Sequence, residues 1–148
     1  MSFSIASLGI AIAAATAIPA STHDMTIQHS SGAIEAEYRG LVEVRHRQIG
    51  SPAPGGRPST LRCAWSADLA MDRVALSPRG MMASRSFAKH DVAKGSLPGS
   101  CTTNKSAIAR EVARKIDANK HILEAAREDQ SVLLVELDQL VKSQNLSS

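Results

Sequence analysis

Ala33 to Gln48 reads AIEAEYRGLVEVRHRQ, and its alternation decides the fold. Ile34, Ala36, Tyr38, Val42, Val44 and His46 share one parity. Glu35, Glu37, Arg39, Glu43, Arg45 and Arg47 share the other, interrupted only by Leu41. A repeat of two residues with one apolar and one charged side predicts a strand with a buried and a wet face, here about 33–48. Gly40 marks the place for a bulge or bend.

Working outward, SPAPGGRPST at 51–60 is a loop by mechanism, because proline removes backbone donors and glycine admits positive φ. A second alternating run over about 61–74 places Leu61, Cys63, Trp65, Ala67, Leu69 and Met71 on one side. Two such runs around a turn-rich loop predict a long antiparallel hairpin. Partner numbers in that pair must sum to an odd constant for both apolar sets to face the same way. Ser77 to Ser100 is broken by Ser, Gly and Pro, and reads as a loop. A third strand arises only if Met82–Lys89 pairs onto the hairpin.

From about 104 to 142 the period changes. Ile108, Val112, Ile116, Leu123, Ala126, Leu133, Leu137 and Val141 recur at helical spacing, with Asn104 or Ser106 as the expected N-cap. The polar run Glu128-Asp129-Gln130-Ser131 offers a break, so one long helix and a helix pair both fit. The expected fold class is α+β: a long hairpin, of two or three strands, packed on this C-terminal helix or helix pair in a single small domain over 21–148.

The first 20 residues carry no charged side chain. An apolar run ending in Ala17-Ile18-Pro19-Ala20 predicts a secretory signal over 1–20, cleaved after Ala20 or Ala17. It lacks a Lys or Arg before the run, and an uncleaved anchor or a buried N-terminal helix are the alternatives. Membrane association follows only if the leader stays. The expected location is the periplasm or the exterior.

Aromatics make up only 3% of the chain, so the core must be built largely from aliphatic side chains and will be thin. Cys63 and Cys101 are the only two cysteines. An even count in an exported chain predicts a disulfide between them.

If cleavage follows Ala20, the chain begins Ser21-Thr22-His23. An α-amine, two amides and the His23 imidazole suit a square-planar Cu(II) or Ni(II) site. His29, His46, His90 and His121 show no zinc-ligand spacing. No nucleophile elbow, zinc-protease motif, phosphate loop or dinucleotide fingerprint occurs, so neither a cofactor nor catalysis is expected. Arg39, Arg45, Arg47, Arg57 and Arg62 fall on the wet face or in its loop and could meet an anionic surface. Acidic residues are interleaved with them, which reads as a mixed solvated face. With a formal net charge of +3, few aromatics and an exported location, nucleic acid is not an expected partner. The leading expectation is a non-catalytic exported protein that binds a partner, or itself through the C-terminal helix; a Cu(II)- or Ni(II)-binding protein using Ser21-Thr22-His23 and an enzyme of unknown type are the alternatives.

Overall fold

The computed structural model describes residues 16–53, 55 and 58–147, with 16–20 described in the main chain only. Four strands come first: β1 (Thr16–His29), β2 (Gly32–Ile49), β3 (Arg62–Leu76) and β4 (Met82–Pro98). Two helices follow, α1 (Cys101–Lys115) and α2 (Ala118–Leu146). The strands form one antiparallel meander in the order β1-β2-β3-β4, and both helices lie along the same side of it. The chain is α+β, as its periodicities predict, with the Cys63–Cys101 disulfide closed.

The hairpin of β2 and β3 has the odd-sum register that the alternation demands. Val42 opposes Leu69, Val44 opposes Ala67 and His46 opposes Trp65, which brings both apolar sets to the helix side. Gly40 makes no bulge against β3, since β2 and β3 pair straight through Gly40 and Met71. Its role is room. A Cβ on Gly40 would stand 2.5 Å from Cγ1 of Ile122, so the missing side chain lets the start of α2 settle on the sheet. The irregularity lies across from it on β1, between Ile18 and Ser21.

Three expectations are corrected. Residues 77–100 are mostly strand, not loop: β4 runs to Pro98 along a sheet edge, where a proline removes no ladder bond that a neighbour needs. Gly95 within it leaves space for the Trp65 indole, whose Nε1 would lie 2.8 Å from an added Cβ. β1 is a strand not anticipated at all. Its helix-side positions are His23, Met25, Ile27 and His29, and two histidines among four blur the apolar alternation. Its first five residues, Thr16–Ala20, overlap the expected leader, and residues 1–15 lie outside the described residues.

Third, the helical region starts earlier and breaks elsewhere. Ser100 is the N-cap, its hydroxyl accepting from the Thr103 amide at 3.1 Å. Asn104 instead ties back to the Pro98 carbonyl at 2.7 Å. The helix pair divides at Ile116-Asp117, where Ile116 adopts extended dihedrals and Asp117 caps α2 by accepting from the Lys120 amide. The polar run at 128–131 stays helical because Asp129 finds partners inside.

The core sits between the helices and one side of the sheet. Ile34, Tyr38, Val42, Trp65, Leu69 and Met71 from the strands meet Ile108, Val112, Ile122, Ala126, Leu133 and Leu137 from the helices. On α2 the seam uses Ile122 and Ala125 rather than Leu123 and Val141, which are only half-buried. The disulfide joins the start of β3 to the first residue of α1, across 38 positions. In the chain-entropy account such a closure stabilises the fold by roughly 4 kcal/mol, a large share of an ordinary domain's stability.

Candidate functional site

Two clusters of charge and one bare surface are the places where this chain could do chemistry or recognition. The first cluster is interior. Arg73 on β3 has a fully buried side chain and donates through Nη1 to Asp129 Oδ2 at 2.8 Å and through Nη2 to Glu136. Tyr38 donates to the same Asp129 oxygen at 3.0 Å, and Arg85 from β4 reaches the other. Burial, and then the adjacent Asp129 carboxylate, push the Tyr38 phenol well above its ordinary value. The network clamps α2 to three strands, with Tyr38, Arg73 and Asp129 buried and Arg85 and Glu136 at its edge.

The second cluster sits at an irregularity in β4, where the register shifts opposite Asp68. Asp91 there has φ +53°, a left-handed conformation that non-glycine residues seldom hold. Its amide donates to Asp68 at 2.9 Å, His90 Nδ1 lies 3.0 Å away, and Arg45 pairs from β2 at 2.8 Å. Burial of Asp68 works to raise its pKa, but the Asp91 amide, His90 and Arg45 together outweigh it and hold the carboxyl low. A carboxylate so stabilised is a poor proton acceptor at neutral pH, the opposite of a tuned general base. Sequence reasoning does not find this cluster. Asp68 reads as one more wet-face residue, and His90 and Asp91 fall in the stretch read as loop.

The bare surface is the side of the sheet away from the helices. Among the described residues no element lies over it. At one end it carries Asp24, Glu35 and Glu37 beside Val74, Leu76 and Met82, which are 47%, 47% and 60% exposed. At the other end a shallow open groove of about 670 Å³ crosses β2, β3 and β4, lined by Arg45, Arg47, Ala64, Ser66, Lys94 and Ser96. Arg62 joins this end and donates to Ser96 at 3.0 Å. Arg47 and Lys94 make no ion pair among the described residues. The face is thus acidic and apolar at one end, basic at the other. Of the five arginines expected on the wet side, Arg39, Arg45, Arg47 and Arg62 lie on it, and Arg57 falls outside the described residues.

The remaining histidines are scattered. His23 sits within β1 opposite Tyr38, half-buried on the helix side. A square-planar metal there would need the adjacent amides of Thr22 and His23, one of which points at β2 in any strand, so this end of the strand must lift to bind. His29 is engaged with Ser31 at 2.7 Å and with Asp138 of α2 at 2.8 Å. His46 opposes Trp65, and His121 lies 4.0 Å from Glu124. No group of three or more His, Cys, Asp or Glu side chains converges as a metal site among the described residues.

No family model, no curated protein and no solved structure matches this chain.

Proposed function

We propose that the chain is an exported, non-catalytic binding protein whose working surface is the bare side of its sheet. The observation that carries the reading is the asymmetry of the sheet. Both helices cover one side, while the other exposes apolar Val74, Leu76 and Met82 among segregated charges. Exposed apolar residues clustered within a polar surround mark an interaction surface more often than a solvated one.

Three observations support export and the absence of catalysis. The closed Cys63–Cys101 disulfide is compatible with an oxidising compartment, and no described helix is long and apolar enough to cross a membrane. The His90–Asp68 pair has its carboxylate held by Arg45 and a backbone amide, beside an open groove rather than in a cleft.

Site-specific photo-crosslinking in the cell envelope tests this reading. A crosslinking residue at Val74 or Ser96 should capture a partner, and one at Arg127 or Gln139 on the helices should not. Capture confined to the helix positions, or from no position at all, contradicts the proposal.

A further inference from the structure

From Glu35 to Arg47 the outward positions of β2 read, in order, Glu35, Glu37, Arg39, Leu41, Glu43, Arg45, Arg47, all exposed but the half-buried Leu41. Their charges run negative, negative, positive, neutral, negative, positive, positive. Reversing that order about Leu41 exchanges every sign. The strand is its own charge complement when laid antiparallel on a copy of itself.

Contacts within the chain account for only part of the pattern: Thr26 donates to Glu35, Arg39 opposes Asp72 and Arg45 pairs with Asp68. Across the β2–β3 ladder Glu35 faces Leu76 and Glu37 faces Val74, while Glu43 directly opposes Asp68, a like-charge pairing that disfavours the sheet. Glu37 and Arg39 approach at 3.5 Å with both side chains more than half exposed, a pair of little energetic weight. β2 is also an interior strand, hydrogen-bonded on both sides. A copy can therefore reach these residues only face to face.

Resting on the reading that the bare side is the binding surface, we infer that its partner is a second copy of this chain, related by a two-fold axis that runs across the strands through Leu41. That operation sets Glu35 over the partner's Arg47, Glu37 over the partner's Arg45, and Arg39 over the partner's Glu43. Leu41 meets the partner's Leu41 on the axis. An axis along the strands would instead lay like charge on like charge, so the sequence of signs selects one arrangement.

On β3 the operation brings Asp72 over the partner's Asp68, a like-charge contact, and the remainder of the face agrees. On β3 the same operation carries exposed Val74 and Leu76 onto the partner's Ser66 and Ala64, within the shallow groove. The midline is small, with Ala70 and Ala88 flanking Leu41, which lets two sheets approach to about 10 Å. Aligned sheets cross at roughly 30°, which displaces the ends sideways by about two strand spacings. Toward β3 and β4 the basic end is continued by Arg62 and Lys94, so the acidic end still meets positive charge. From strand spacing and rise, the Glu35–Ile49 span on β2, β3 and β4, with β1 as far as the level of Val44, offers roughly 800 Å², against about 800 Å² per partner in a standard interface.

Sedimentation of the disulfide-closed protein tests the arrangement. The wild type should dimerise, and raising salt from about 50 to 500 mM should weaken the dimer at least about tenfold. Glu35→Arg with Glu37→Arg in one chain, and Arg45→Glu with Arg47→Glu in another, should each weaken self-association about 100-fold. Mixing the two chains should restore a heterodimer to within about tenfold of the wild type. Leu41→Glu and Leu41→Lys give an independent pair on the axis: monomeric apart, dimeric together. A wild type that stays monomeric to about 100 µM, or charge variants that dimerise as well alone as mixed, overturns the inference. If that happens while Val74 still crosslinks to a different protein, only the second copy falls and the binding surface stands.

Discussion

Asp129 interrupts an otherwise apolar stripe on α2, and the sheet meets it with Tyr38, Arg73 and Arg85. Removing the carboxylate leaves Arg73 buried with Glu136 as its one remaining charge partner, so Asp129→Ala should cost about 3–5 kcal/mol in a urea titration. A change under about 1 kcal/mol would show that the guanidinium is not held as described. The same network sets an alkaline limit. The folded-state pKa of Tyr38 lies above its ordinary value of 10.0, so its contribution is complete below pH 10 and is lost as pH rises. Stability should therefore fall above about pH 10, and Tyr38→Phe should remove that slope at some cost in overall stability. Asp68 has the opposite sign. Its folded pKa lies below the ordinary 3.8, so its contribution is present above that pH and drains away as acid is added. Asp68→Asn should flatten the acid limb of the stability profile, and an unchanged limb would contradict the grip of His90, Arg45 and the Asp91 amide. None of this is legible in the sequence. Nothing in the string marks Asp129 as buried or Asp68 as held, because both depend on which residues of other strands arrive opposite them.

At the scale of elements, the alternation at 33–48 and 61–74 and the helical spacing from Ile108 onward carry most of the architecture. Their parity alone sets the odd-sum register of β2 with β3. The sequence misleads where packing overrides composition: β4 is a strand despite Gly95 and Pro98, because an edge tolerates both. The helix break falls at Ile116-Asp117 rather than at the polar run, because a cap decides it and a buried carboxylate does not. Gly40 is the sharpest test of the packing between sheet and helix. Gly40→Ala should destabilise by about 1–3 kcal/mol as Ile122 is pushed away. Ile122→Ala in that background should then cost less than in the wild type, giving a coupling of about 0.5 kcal/mol or more. Additive effects would mean the two residues do not meet.

The whole molecule joins a thin aliphatic core to one covalent staple, with one side of its sheet left open. Cysteine count and the apolar leader make the staple legible from sequence alone, and both charges and apolar residues on the open side are visible as a wet strand face. What the string hides is that β1 and β4 widen this face to four strands and that no described element covers it. The claim beneath the rest is that the chain leaves the reducing cytoplasm and folds with Cys63 joined to Cys101. The direct measurement is an intact mass, with and without reductant, of the protein recovered after expression of the whole chain in a bacterium. The account predicts a product beginning at Ser21 that gains about 2 Da on reduction. A full-length product whose mass does not change on reduction would contradict it.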